Sequence, residues 1–312
     1  MPMESQPESG KWIFIVNPAA GGGKALSKCN KAEQYLSLAG IDYERVDTGK
    51  AGDAEEICKS KIASGFRQFL IGGGDGSLNE VLQGIMKQKL VSTQEFVVAQ
   101  LPVGTGNDWR RTYGLASNVS QAIEKMRIAK VRLQDVGRIT YPAAAGKEDW
   151  FINSAGIGFD ASVAFEANEK KKLGKAGLLV YISALLKQLF AFREPEMQII
   201  IDGKSENFSG FTVLAGIGKF AGNGMKLIPH GGLNDGFLSV VMVRKISRLK
   251  IVTHLASLFT GRFTRLNEVD QYKCKSIQIT TIPEHPLQID GESRGCSPVL
   301  IEILPQAVGI LV

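Results

Sequence analysis

A glycine-rich turn lies between a buried strand and an amphipathic helix in the first part of the chain. The apolar run RQFLI at 67–71 leads into GGGDGSLNE at 72–80, and apolar residues then recur at helical spacing from Leu78 to Met86. Ser77 and Glu80, three residues apart, are expected to form a capping box at the start of this helix. Glycines let phosphate oxygens approach the backbone, and the N-terminus of the following helix presents free N–H groups. The turn therefore predicts an anion-binding site, with a tight turn that binds no ligand as the alternative.

Two more loops rich in glycine follow strand-like runs. WIFIV at 12–16 leads into NPAAGGG, and FVVAQL at 96–101 leads into PVGTGND, with a helical pattern after each loop. In an open parallel sheet, ligands bind outside the carboxyl ends of the strands, where all three loops are expected. The sequence therefore predicts an α/β nucleotide-binding domain with a parallel sheet over residues 11–136, preceded by a disordered tail at 1–10.

The pattern changes from about residue 137 onward, where short β-like runs dominate. The Asp-Gly pair of IDGK at 201–204 is typical of a tight hairpin between antiparallel strands. Helical stretches are expected at 161–193 and 246–263. These patterns predict a β-rich second domain over residues 137–312, whose last strand is expected to return toward the first domain.

Charge and composition restrict the partners and the compartment. A net charge of +6 and a pI near 9.0 favour an acidic partner, but charge alone does not choose among nucleotide phosphates, anionic lipid headgroups and nucleic acid. The N-terminal residues lack the apolar core of a secretory signal, and the four cysteines are scattered without a disulfide-like framework. These features predict a cytoplasmic protein.

The longest apolar stretch, residues 176–192, is shorter than the ~20 residues needed to span a bilayer and contains Lys187. The basic residues of EKKK at 169–172, with Lys175 and Arg193, are typical of a helix that lies at a membrane interface. A buried helix with solvated charges at its ends is the alternative. The sequence therefore predicts no transmembrane helix and leaves these two interpretations open.

Acidic residues accompany the glycine-rich loops. Asp75 lies within the first turn, Asp108 closes PVGTGND, and Asp290 and Glu292 lie in LQIDGES at 287–293. Phosphoryl transfer needs phosphate binding, a divalent cation and a carboxylate that accepts the alcohol proton, whereas Asp beside Gly is also a common turn former. Because the chain contains no G-x-x-x-x-G-K-[ST] motif, an ordinary P-loop is disfavoured.

Together the motifs resemble those of the diacylglycerol kinase catalytic-domain family, which includes bacterial diacylglycerol kinases and, more distantly, sphingosine and ceramide kinases. The resemblance covers residues 11–312. It implies an α/β nucleotide-binding domain like that of NAD kinase and diacylglycerol kinase, followed by a β-sandwich-like domain. The motifs, in family order, are NPAAG at 17–21, Thr48, GGGDGSLNE at 72–80, PVGTGNDW at 102–109, NSAGIGFDA at 153–161, GGLNDGFL at 231–238 and IDGE at 289–292.

The resemblance also implies roles in catalysis and metal binding. Glu292 would accept the proton of the lipid hydroxyl, and Asp75 and Asp108 would organise the catalytic metal and the phosphates. A structural Mg²⁺ would be bound by the Asp235 side chain and the backbone carbonyls of Gly232 and Phe237.

An ATP site is implied on the same basis. Many relatives place a lysine directly after NPxxG, whereas this chain has Gly22 and Gly23 before Lys24, so the identity of a phosphate-contacting lysine stays open. The residues that would contact ATP are Asn17, Pro18, Ala19, Ala20, Gly21, Thr48, Gly74, Asp75, Gly76, Ser77, Leu78, Asn79, Glu80 and Thr105.

The expected function is that of an ATP-dependent kinase that transfers the γ-phosphate to a lipid hydroxyl, with diacylglycerol as the leading substrate and phosphatidic acid as the product. The alternatives are a kinase of phosphatidylglycerol or a sphingoid base, an NAD kinase, and a non-catalytic lipid- or nucleotide-binding module. Expected ligands are ATP, Mg²⁺ and a lipid met at the inner face of an anionic membrane. Nucleic acid is not expected as a partner, and a homodimer is an open alternative to a monomer.

Overall fold

The computed structural model describes residues 10–144, 146–172 and 178–312. The tail predicted at 1–10 lies outside the described residues except for Gly10. The same holds for Lys175 of the predicted basic segment.

The described residues form two compact units. The first comprises the chain up to Gln134 together with Gln306–Val312, and the second is Asp135–Pro305. The boundary lies slightly before residue 136, where the sequence analysis placed the end of the first domain. The last residues of the chain belong to the first unit.

The first unit is built on a parallel sheet. Its strands are β1 (Trp12–Val16), β2 (Tyr43–Asp47), β3 (Gln68–Gly72) and β4 (Val97–Gln100); its helices are α1 (Lys24–Leu38), α2 (Asp53–Ala63), α3 (Asp75–Lys87), α4 (Asp108–Tyr113) and α5 (Val119–Met126). The strands lie in the order β2, β1, β3, β4, and the end of the C-terminal strand, at Gly309 and Ile310, pairs in parallel with β4.

Burial explains why these strands read as continuous apolar runs. Every residue of β1 and β3 is buried, as expected for a parallel sheet covered by helices on its faces. Phe14 and Leu70 of the sheet pack with Leu36 of α1 and Ile123 of α5 in one core cluster. The carboxyl ends of the strands are thus held in a fixed arrangement by a rigid, close-packed layer.

The second unit is an antiparallel β-sandwich with helices. Its strands are β5 (Val131–Thr140, which begins in the first unit), β6 (Glu148–Phe151), β7 (Ser154–Gly158), β8 (Glu196–Ile201), β9 (Lys204–Gly216), β10 (Leu238–Arg244), β11 (Val269–Cys274), β12 (Ser276–Ile282), β13 (Pro286–Ile289), β14 (Glu292–Cys296) and β15 (Val299–Leu311). Its helices are α6 (Phe159–Lys172), α7 (Leu178–Ala191), α8 (Arg248–Thr253) and α9 (Leu255–Thr260).

Strand β9 joins the two layers of the sandwich. Its first half pairs with β8, which continues through β12 to β15, and its second half pairs with β7 and β10 in the layer that also contains β11, β13 and β14. Successive side chains of a strand point to opposite faces of the sheet, so the layer of β7 and β10 contributes to a different hydrophobic core on each face. Val213 and Val240 face the sandwich interior, whereas Leu214 and Val241 pack with the helix residue Leu185.

The predicted fold class, a parallel α/β unit followed by a β-sandwich-like unit, is confirmed. The predicted 161–193 helical stretch corresponds to α6 and α7, and 246–263 contains the two short helices α8 and α9 followed by a 3-10 turn at Arg262–Arg265. No helix among the described residues is both long and apolar enough to cross a bilayer.

Candidate active site

The glycine-rich turn forms the start of α3. The helix begins at Asp75. Its N-cap residue, Gly74, has an extended backbone conformation and makes no side-chain capping hydrogen bond. We expected a capping box of Ser77 and Glu80 here, and that expectation is wrong because both residues lie inside the helix. The Ser77 hydroxyl instead accepts a hydrogen bond from the Asn17 side-chain amide at 3.1 Å, and Glu80 accepts the Ala54 N–H at 3.2 Å, at the start of α2.

The turn and the loop after β4 approach each other backbone to backbone. A Cβ on Gly104 would lie 2.5 Å from the Cα of Gly74, closer than any side-chain carbon is found. The loop after β1 joins them, because a Cβ on Gly21 would lie 2.7 Å from the carbonyl oxygen of Val103. Three glycine-bearing loops therefore meet at the carboxyl edge of the sheet, where the helix N-terminus favours an anion.

Asn17 connects the first of these loops to the turn. Besides its bond to Ser77, its side-chain oxygen accepts the Ala19 N–H at 3.1 Å, and its own N–H donates to the carbonyl of Gly72 at 3.0 Å. Thr48 follows β2 at the same edge, with its N–H bonded to the Val16 carbonyl at 2.8 Å. The structure thus brings four segments of the predicted ATP site to one edge of one sheet.

Some of the predicted ATP contacts have side chains that point elsewhere. Leu78 is only 1% exposed, and its N–H donates to the Gly74 carbonyl at 3.1 Å. Asn79 is equally buried and accepts a hydrogen bond from Gln83. These residues support the shape of the turn from within the helix, whereas the predicted contact Thr105 is exposed in its loop.

The two candidate acidic residues of this unit are linked directly. One side-chain oxygen of Asp75 accepts the backbone N–H of Asp108 at 3.0 Å, which ties the glycine-rich turn to the start of α4. The buried Arg110 guanidinium donates to the carbonyls of Gln100 and Ala116. Burial lowers the pKa of Arg110 to about 10, and the charge of Asp75 opposes that shift. Asp75 and Asp108 therefore lie at the junction of two loops beside a buried cation.

Glu292 begins β14 after a two-residue hairpin turn in the second unit. It pairs with Ile289, and the turn residues Asp290 and Gly291 have φ values of 47° and 85°. Asp290 is only 8% exposed. Its carboxylate accepts hydrogen bonds at 2.9–3.0 Å from the backbone N–H groups of Ile152, Asn153 and Ser154. The sequence analysis treated Asp290 as a turn former and gave no reason to expect this contact with a distant segment.

Asp235 lies in a loop that folds around its carboxylate. Its oxygens accept the Phe237 N–H at 3.1 Å and the Lys273 ammonium at 2.5 Å. A Cβ on Gly232 would lie 2.3 Å from the carboxylate, so a side chain at this position would displace the Asp235 carboxylate. Asp135, which the sequence analysis missed, accepts the Gly236 N–H at 2.7 Å.

The Asp235 carboxylate lies against the Gly232 backbone, which is the arrangement that the predicted cation site of Gly232, Asp235 and Phe237 requires. Mg²⁺ prefers such oxygen ligands and few protein side chains. No cluster of three or more His, Cys, Asp or Glu side chains suited to a metal occurs in the part of the chain that the structure describes. A cation here would therefore depend on Asp235 and on carbonyl oxygens, and it would compete with Lys273 for the carboxylate.

Asp160, in the NSAGIGFDA motif, is a second buried carboxyl group. It lines an apolar cavity of about 100 Å³ with Phe159 and Leu214, and its Oδ2 has no hydrogen-bond partner among the described residues. Burial raises the pKa of Asp160 from 3.8 to about 6, and a hydrogen bond with Gln288 opposes that shift. The motif pointed to this segment, but the sequence did not indicate that its carboxyl group is buried.

Comparison with known proteins agrees with this arrangement. The family model described as the diacylglycerol kinase catalytic domain matches residues 11–139. The model described as the YegS C-terminal NAD kinase beta sandwich-like domain matches residues 153–312. The two models thus match the two parts of the chain that the fold and the motifs distinguish.

Individual relatives align along nearly the whole chain. A diacylglycerol kinase of Mycobacterium tuberculosis (strain CDC 1551 / Oshkosh) is 28% identical over 97% of this chain and 96% of its own length. A diacylglycerol kinase of Staphylococcus carnosus (strain TM300) is 27% identical over 95% and 93%. A crystal structure of a diacylglycerol kinase from Bacillus anthracis str. Sterne superposes with a TM-score of 0.73 at 24% identity over 96% of both chains, which supports the fold.

The glycine-rich turn, the carboxyl-edge loops and the matched models together define a kinase that acts on lipids. The chain belongs to the diacylglycerol kinase family of lipid kinases. Kinases of this family use ATP as the phosphate donor, and the three converging loops of the first unit are the segments suited to bind its phosphates.

The close approach of the two loops yields the first prediction. We expect Gly104→Ala to weaken ATP binding by about tenfold or more, because the new Cβ meets backbone that cannot rotate away and displaces the loops. Isothermal titration with ATP measures the change. Gly10→Ala is the control, since its Cβ would meet only the end of the flexible Gln68 side chain. Wild-type ATP affinity in Gly104→Ala would show that the spacing of the loops does not matter.

The buried carboxyl group yields the second prediction. Because the folded-state pKa of Asp160 is raised, its contribution to stability is fully present below pH 3.8 and is lost as pH rises through about 6. Asp160→Asn keeps a neutral group at all pH values. We expect this variant to exceed the wild-type Tm by roughly 3 °C or more at pH 8 and to show a smaller difference at pH 5. Calorimetry checks this, and an equal difference at both pH values would contradict it.

Proposed function

We propose that this kinase transfers the γ-phosphate of ATP to the hydroxyl group of diacylglycerol and thereby forms phosphatidic acid. The observation that carries the proposal is the alignment with relatives named diacylglycerol kinase over more than nine tenths of both chains. The ordered motifs, from the glycine-rich turn at 72–80 to IDGE at 289–292, support the same reaction class.

The first unit provides the donor site in this proposal. Backbone N–H groups of the glycine-rich turn bind the ATP phosphates, and Asn17 and Ser77 keep two of the loops together. Asp75 and Asp108 organise the phosphates from the junction of the turn and α4. Bound Mg²⁺ supplies charge neutralisation for the transferred phosphoryl group.

The second unit provides the base. Glu292 accepts the proton of the lipid hydroxyl as the hydroxyl oxygen attacks the γ-phosphorus, and ADP leaves with the electrons of the broken bond. The loop of Gly232, Asp235 and Phe237 is the site proposed for a structural Mg²⁺, where the Asp235 carboxylate lies against the Gly232 backbone.

The third prediction concerns this base. We expect Glu292→Gln to fold and bind ATP normally but to lose lipid phosphorylation by about 100-fold or more, because an amide cannot accept the proton. A radiolabelled-ATP assay with diacylglycerol measures the loss. Glu196→Gln, an exposed substitution on β8, is the matched control.

The same assay separates the alternatives. Retained activity in Glu292→Gln would reject Glu292 as the base. Label on phosphatidylglycerol, a sphingoid base or NAD in place of diacylglycerol would reject the substrate assignment. Binding of ATP without label on any of these acceptors would favour a non-catalytic module.

We further propose that the enzyme meets its lipid at the surface of an anionic membrane through α7. Leu179, Leu186 and Phe190 recur at helical spacing along this helix and are 81%, 37% and 72% exposed. Phe165 of the neighbouring α6 is 52% exposed. An exposed apolar stripe on a protein with a net charge of +6 is suited to the interface of an anionic bilayer.

The fourth prediction tests this surface. We expect the double substitution Leu179→Ser and Phe190→Ser to reduce sedimentation with phosphatidylglycerol vesicles by about fivefold or more, because burial of this apolar area contributes to membrane binding. Leu38→Ser, which removes an equally exposed leucine from α1, is the control. Equal sedimentation of the double variant and the wild type would reject α7 as the docking helix.

A further inference from the structure

Two hairpin turns in the second unit share their local sequence and backbone conformation. Ile201-Asp202-Gly203-Lys204 joins β8 to β9, and Ile289-Asp290-Gly291-Glu292 joins β13 to β14. The aspartates have φ values of 44° and 47°, and the glycines have values of 86° and 85°. Each Asp-Gly pair therefore has the positive φ values that a tight two-residue hairpin requires, and the two turns have nearly the same backbone conformation.

The two aspartates differ in what surrounds them. Asp202 is exposed, and its carboxylate accepts the N–H groups of Lys275 and Ser276. Asp290 is buried and accepts three N–H groups from 152–154. Burying a carboxylate is costly unless several hydrogen bonds compensate, and turn formation alone does not require it. The buried contact therefore fixes the position of the 289–292 turn relative to β7.

Other bonds fix the same turn from further directions. The Asp290 N–H donates to the Ser154 carbonyl at 2.8 Å, so the contact with β7 runs both ways. The Gly291 N–H donates to the Gln288 side chain at 2.8 Å, and the Gly291 carbonyl accepts the Asn168 amide of α6 at 3.1 Å. The residue that follows this immobilised turn is Glu292.

We infer that Asp290 is a positioning residue for Glu292, holding the start of β14 against Ile152, Asn153 and Ser154 so that the Glu292 carboxylate is fixed for proton acceptance. This inference rests on the proposed role of Glu292 as the base. Because a misplacement of about 1 Å can cost roughly 100-fold in rate, a bond network that fixes the backbone next to the base contributes directly to turnover.

Asp290→Asn tests the inference. Asparagine tolerates the positive φ, so the turn is kept, but its NH₂ group cannot accept one of the three N–H bonds. We expect kcat for lipid phosphorylation to fall by about 10- to 100-fold with the Kd for ATP unchanged within about twofold. Asp202→Asn makes the same change in the matched exposed turn and should retain kcat within about twofold.

A double-mutant cycle separates positioning from a general structural role. If Asp290 acts through Glu292, adding Asp290→Asn to Glu292→Gln causes no further loss of kcat, because the base is already absent. An equal loss in both backgrounds, or wild-type kcat in Asp290→Asn, overturns the inference. If Glu292→Gln itself retains activity, the base assignment fails, and that outcome is distinct from failure of the positioning role.

A second variant covers the case in which Asp290→Asn does not fold. Asn168→Ala removes the α6 bond to the Gly291 carbonyl without disturbing a buried charge. We expect it to lower kcat by about 3- to 10-fold in the wild-type background and to have no effect in Glu292→Gln. Unchanged kcat in Asn168→Ala overturns the inference in that case.

Discussion

The proposed donor site depends on the close approach of two loop backbones at the carboxyl edge of the parallel sheet. Gly74 and Gly104 lie so near each other that a Cβ on Gly104 does not fit. The Asn17–Ser77 hydrogen bond brings a third loop to the same place. In the proposed donor site, phosphate binding rests on backbone geometry and a helix N-terminus and does not require a P-loop lysine motif.

In the proposed acceptor site, the buried carboxylate of Asp290 sets the position of the hairpin at 289–292. The turns at 201–204 and 289–292 are alike in sequence and conformation, yet only Asp290 is buried against three backbone N–H groups. Both turns contact a distant segment, Lys275 and Ser276 at the first turn and residues 152–154 at the second, but only the contact of the second turn is buried. The Asp-Gly sequence thus specifies the hairpin turn, whereas tertiary contacts determine whether its aspartate is buried.

The sequence was sufficient for the fold class because its strongest signals are local. Buried runs such as 12–16 and 67–71, each followed by glycine and a helical pattern, identify parallel strands and place the glycine-rich loops at their carboxyl ends. The capping box at Ser77 and Glu80 was wrong because the pattern does not reveal that the helix begins at Asp75. The burial of Asp160 and Asp290 could not be predicted, since it depends on segments far away along the chain.

The most direct test of the proposed reaction follows the oxygen atoms of the transferred group. The purified enzyme would be supplied with Mg²⁺, diacylglycerol and ATP in which all oxygens of the γ-phosphate are ¹⁸O, and the lipid product analysed by mass spectrometry. Direct attack of the lipid hydroxyl on the γ-phosphorus predicts phosphatidic acid that carries three heavy oxygens, since the ester oxygen comes from the lipid. Unlabelled phosphatidic acid, or no phosphatidic acid from an enzyme that binds ATP, would contradict the account.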